Sequence, residues 1–197
     1  MAWGKAGYST LTGNATDVEV TGMSTNKFLT ILNHTIPTGR VQLVQYTGNG
    51  SFVTSGNKYA YRGSVNGNTD IPYDDLNAIE IGSSISAVYT DTRFSIIYVF
   101  NESSKEKLMI GSVINANGSS SAPDKEIAVA KWANTSTVMD QWQSHDIETG
   151  NQTTDTNLSI LGSDFTAGEL KVQDGAVFYE KDTNKSYVLY NGIWSEL

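Results

Sequence analysis

A side chain that does chemistry needs a titratable or nucleophilic group held beside a partner, and few candidates exist here. The two histidines are His34, inside the apolar run LTILNHTI, and His145, in QWQSHDIE beside Asp146. A histidine within a strand-like run reads as a hydrogen-bonded structural residue rather than a general base. Adjacency in sequence does not make His145 and Asp146 a geometric pair, and no G-x-S-x-G elbow supplies a nucleophile. The nearest paired carboxylates, of the kind a glycosidase uses, are Asp74 with Asp75 and Glu102 with Glu106. Neighbours in a strand point opposite ways, and NESSKEK reads as a solvated turn.

Metal and cofactor chemistry is equally thin. With no cysteine there is no disulfide, thiolate zinc site or thiol nucleophile. The stretches NGNTD (Asn66–Asp70) and DTNLS (Asp155–Ser159) offer oxygen ligands for calcium, but without EF-hand spacing, and the same residues are ordinary turn formers. No phosphate loop or dinucleotide fingerprint occurs. No catalytic, metal or cofactor residue is assigned, and a non-enzymatic protein is expected. Tyr61, Trp132 and Trp142 could form a flat sugar-binding platform, the other reading being that they fill the core. Asn-x-Ser/Thr occurs nine times, at Asn14, Asn33, Asn49, Asn101, Asn117, Asn134, Asn151, Asn157 and Asn184, which reflects a composition rich in Asn, Ser and Thr.

The elements that must hold these residues read as strands. Across 197 residues only 17% are charged, yet ten Tyr, six Phe and four Trp supply a core. A formal charge of -8 argues against a nucleic-acid partner, because binding phosphates needs a basic stripe. The longest apolar run, FSIIYVF (Phe94–Phe100), is too short to span a bilayer, and MAWGKAGYST has no secretory pattern. Synthesis in a reducing cytoplasm is expected, with any exit by lysis or assembly.

Short alternating runs such as VQLVQYTG, KYAYRGSV, SSISAVYT, KLMIGSVINA and EIAVAKWAN are separated by Gly-, Asn- and Ser-rich turns. FSIIYVF is apolar on both faces, as in a central strand covered by a second sheet. Helix signals are scarce, the best candidates being the short stretches Tyr73–Glu80 and Ser136–Gln143. The pattern predicts an all-β fold: a two-sheet antiparallel β-sandwich, jelly-roll or concanavalin-like, over residues 1–150. Residues 151–167 read as a connector touching the core once through LSILG. Residues 168–197 read as a C-terminal β-hairpin module turning at DTNK and Asn191-Gly192.

Why a chain should close on an aromatic hairpin is suggested by a resemblance. Gly175, Phe178, Tyr179, Asp182, Thr183, Lys185, Tyr187, Gly192 and Trp194 resemble a hairpin of bacteriophage tail, fibre and other virion proteins. The body, from Trp3 through VTGM, KFLTILNHTIPTG and NKYAYRGSVNGNTD to TTDTNLSILGSDF, is similar to a pattern in environmental virus structural proteins. The resemblance implies a virion component, either capsid decoration or tail or fibre subunit. It also implies a homo-oligomer, with a trimer favoured, and other virion proteins as partners. A host surface glycan or receptor is the alternative partner. No catalytic residue is transferred. Trp3, Tyr8, Phe178, Tyr179, Tyr187, Tyr190 and Trp194 are the expected assembly residues.

Overall fold

The computed structural model describes residues 3–38, 42–56, 58–67, 71–81, 91–116, 121–148, 150–164, 175–191 and 193–197. Among them there is no helix. Fourteen strands form: β1 Gly4–Thr10, β2 Asp17–Val20, β3 Phe28–Thr35, β4 Leu43–Gly48, β5 Tyr59–Val65, β6 Ile71–Leu76 and β7 Arg93–Phe100. The series continues with β8 Lys107–Asn115, β9 Asp124–Trp132, β10 Gln141–Asp146, β11 Asn157–Ser163, β12 Val177–Glu180, β13 Lys185–Tyr190 and β14 Ile193–Glu196. The protein is all-β, with every strand pair antiparallel. The strand expected over SSISAVYT lies outside the described residues.

One sheet has eight strands in the order β1-β11-β3-β7-β8-β9-β5-β6; a second has three, β2-β10-β4. Period-2 alternation sends Leu29 and Ile31, Ile97 and Val99, and Met109 and Val113 to the inner face of the large sheet. There they share one core with Val18, Val20 and Trp142 of the small sheet. Two glycines permit close approach: a Cβ on Gly7 would run into the Val20 side chain, and one on Gly111 would come within 2.9 Å of Ile81. Gly7 also follows a register shift in β1, a bulge that turns both Ala6 and Gly7 inward opposite Ile160.

Two helix candidates and the connector reading are not what the fold shows. Residues 73–80 are not helical: β6 runs to Leu76, and Ile79 exchanges backbone hydrogen bonds of 2.8 and 2.9 Å with Gln45. Ile79 and Ile81 are core residues, so tertiary burial overrides a local helical pattern. Residues 136–143 are not helical either. The Asn134 side chain accepts from the Ser136 and Thr137 N–H groups (2.9 and 3.0 Å), as a helix cap does, but the chain then runs extended into β10. Buried Asn101 holds this passage by accepting from Met139 N–H at 2.7 Å and donating to Met139 C=O at 3.1 Å. Residues 151–167 are more than a connector, because LSILG lies in β11, an interior strand between β1 and β3. The large sheet therefore extends past residue 150.

Tyr59 ties β5 to the end of the small sheet. Its hydroxyl sits 2.8 Å from Val53 O and 3.0 Å from Thr47 O, and it accepts from Thr47 N–H at 3.2 Å. Burial pushes the phenol from the usual 10 to about 12. A proton held more tightly in the folded state stabilises the fold below pH 10, and that contribution is lost as pH rises from 10 through 12. Denaturant unfolding should therefore lose about 2 to 3 kcal/mol over that window. Tyr59→Phe should remove this share of the alkaline loss and cost about 1 to 3 kcal/mol at neutral pH. An identical alkaline profile in the variant would contradict the assignment.

Candidate interaction surface

The residues with chemical potential are dispersed. His34 is half-buried on β3. His145 pairs not with Asp146 but with Asp17, its register partner on β2, with Nδ1 2.5 Å from Oδ1. The Asp146 carboxylate accepts instead from the Gln42 and Glu148 N–H groups, both at 3.0 Å. Tyr46 stands 5.6 Å from the His145 ring, but burial and then the Asp17 charge raise its pKa, which disfavours the anion a nucleophile would need. The pair is a cross-strand contact on the polar outer face of the small sheet.

Glu102 pairs with Lys27 at 3.3 Å and Glu106 with Lys131 at 3.1 Å, so these carboxylates do not converge. Asp74 lies on exposed β6, and the Asp75 side chain lies outside the described residues. In the first calcium candidate, Asn66 is a left-handed turn residue whose side chain bonds Asp124 Oδ1 at 2.8 Å and Lys125 N–H at 2.9 Å. Residues 68–70 are outside the described set. In the second, Asp155 is also left-handed, and Asn157 bonds Thr10 and Ser159 at 2.6 and 2.7 Å. Among the described residues no group of three His, Asp or Glu could hold a metal ion.

Residue-type reasoning missed a buried ionic group. Tyr61 donates to Glu126 Oε1 at 2.6 Å, and Arg93 feels the charges of Glu126 and Asp146. Burial lowers the Arg93 pKa and the two carboxylates oppose that shift. Lys107, fully buried above Trp132, donates to Lys105 O and Asn134 O, both at 2.7 Å. Parity was the available signal: Glu126 shares its face with Ala128 and Ala130, Arg93 with Ile97, and Lys107 with Met109. These charges are enclosed, so they brace the core.

The sugar platform is not present. Tyr61, Trp132 and Trp142 are 4, 2 and 0% exposed, so none shows a ring face to solvent. They are core residues.

The assembly residues are placed differently. Trp3, just before β1, and Tyr8 on β1 are exposed, with Lys5 Nζ 3.6 Å over the Tyr8 ring. β12, β13 and β14 form their own three-stranded sheet, turning through left-handed Asn184 and Asn191. Register puts Phe178, Tyr187, Leu189 and Trp194 on one face, with ring centroids 6.1 to 6.2 Å apart around Phe178. The other face carries Val177, Tyr179, Tyr190 and Ile193, all more than half exposed. Both faces of this module expose apolar side chains, the first beside a Lys185–Glu196 ion pair of 2.8 Å.

A larger surface went unread in the sequence. The outward face of the eight-stranded sheet presents Phe94 and Tyr98 of β7, Leu108 and Ile110 of β8, and Ile127 and Val129 of β9, all exposed. FSIIYVF is therefore covered on one face only. Trp3 lines a depression of about 300 Å³ on this surface with Phe28, Tyr98, Phe100, Leu108 and Ile110. The outer face of the small sheet is polar by contrast, with Asp17, Glu19, Gln143 and His145.

No family model matches the chain, and no curated protein or solved structure matches it. Fold and surface together define an all-β protein of antiparallel sheets with a large exposed apolar surface among its described residues.

Glu126→Ala would remove the carboxylate that accepts from the Tyr61 hydroxyl and one of the two buried negative charges that oppose the desolvation of Arg93. Urea denaturation should show a loss of about 3 to 5 kcal/mol. A loss under 1 kcal/mol would show that the ionic group does not brace this end of the core.

Proposed function

We propose that this chain is a non-enzymatic structural subunit of a virus particle, a capsid-decoration or tail or fibre component that self-assembles through β-sheet surfaces. One observation carries the reading: the C-terminal module folds as a separate three-stranded sheet with aromatic residues exposed on both faces. Three strands with an apolar face are about the least that is stable alone in water. This sheet leaves apolar side chains exposed on both faces, which a second chain could cover. The same module carries the residues that resemble virion hairpins. In this reading the two sheets sharing one core are a β-sandwich of jelly-roll type, and the site of action is the virion, reached from the host cytoplasm. Other virion proteins and further copies of the chain are the partners.

The test is the native mass of the purified chain by light scattering, with and without residues 174–197. A closed homo-oligomer, a trimer or larger, that is lost on truncation while far-UV circular dichroism of the body persists is the expected result. A monomer in both forms would contradict it.

A further inference from the structure

We infer that the outward face of the eight-stranded sheet is a two-fold contact with a second copy of this chain. The inference rests on the self-assembling reading above and names a surface for it other than the terminal module.

Size comes first. Four strands at about 4.8 Å spacing and seven residues at about 3.3 Å rise give the apolar centre, β3, β7, β8 and β9, roughly 450 Å². That is the size of the largest apolar patch on a typical monomer, about 300 to 600 Å², which is often functional. All eight strands give roughly 900 Å², close to the about 800 Å² per partner of a standard stable interface. The layout also matches an interface, with apolar residues at the centre and polar ones on the flanks. Asn157 and Ser159 of β11 lie on one side, and Arg62 and Ser64 of β5 on the other.

Charge selects the occupant. The face carries cations on β9 and β5 (Lys125, Lys131 and Arg62) and Lys5 on β1. A face meeting its own copy must keep these apart, since like charges brought together are costly. The strand order has its midpoint between β7 and β8. A two-fold axis running there along the strands lays β7 over β8, β3 over β9, β11 over β5 and β1 over β6. Lys125 and Lys131 then face β3, and Arg62 faces β11; the outward residues of β3 and β11 include no lysine or arginine. Lys5 faces β6, which carries exposed Asp74. Cations meet neutral or acidic flanks, and Tyr98 of each copy meets Ile110 of the other. The contact is isologous, so it gives an even copy number: two alone, or six where a three-fold contact through the terminal module also forms.

Ile110 is 59% exposed, so Ile110→Asp puts a charge at the centre of the contact without disturbing the core. Sedimentation equilibrium should show the mass of the full chain halved in this variant, with circular dichroism and melting temperature retained. Because the chain has no cysteine, Ile110→Cys provides a second readout: a short bismaleimide should cross-link it to a dimer, while Gln143→Cys on the small sheet should stay monomeric. Wild-type mass unchanged by Ile110→Asp, or equal cross-linking of both cysteine variants, would overturn the inference. A wild-type monomer up to millimolar concentration would overturn it as well. Mass lost on deleting residues 174–197 but kept in Ile110→Asp would refute this contact and leave the self-assembling reading standing. Mass lost only in Ile110→Asp would do the reverse for the module.

Discussion

Strand β7 is apolar on both sides, and a sheet with two apolar faces needs two covers. The small sheet supplies one: Val18, Val20 and Trp142 close over Ile97, Val99 and Met109. Nothing in the described chain supplies the other for Phe94, Tyr98, Leu108, Ile110 and Ile127. A charged or hydroxylated outer face would have left the fold intact, since those positions lie outside the core. Their exposure makes this face the kind of apolar patch that often marks an interaction surface.

The inner face shows how strongly the fold enforces its own burial. Glu126, Lys107 and Arg93 stand at inward parity and are kept there by specific partners: the Tyr61 hydroxyl, two backbone carbonyls, and opposing carboxylates. Buried charges of this kind fix register more than they add stability, because a one-residue slip would strand them against apolar side chains. Asn101 performs the same service for the passage into β10, and its sequon is unavailable for glycosylation in the folded chain because the side chain is buried and bonded at both ends.

Much of the architecture was legible because strand alternation and turn residues are local signals. VQLVQYTG, KYAYRGSV, EIAVAKWAN and the hairpin turns at Asn184 and Asn191 fall where the pattern puts them. The errors share a cause. Ile79, Met139 and LSILG were read from their neighbours, while their structure is set by distant partners, Gln45, Asn101 and β3. The aromatic residues split the same way. Nothing local separates Trp142, at the heart of the core, from Trp194, exposed in the module. The outward face was hidden for a different reason. Leu108, Ile110, Ile127 and Val129 look like ordinary strand residues until register aligns them beside Tyr98.

Whether that face is covered in solution can be observed side chain by side chain. Hydroxyl-radical footprinting of the intact chain at low and high concentration would report on Tyr98, Phe94 and Ile110, with Tyr46 on the small sheet as internal control. Protection of the first three that grows with concentration, while Tyr46 stays unchanged, is the expected result. Equal labelling of all four at every concentration would contradict a second copy on the outer sheet.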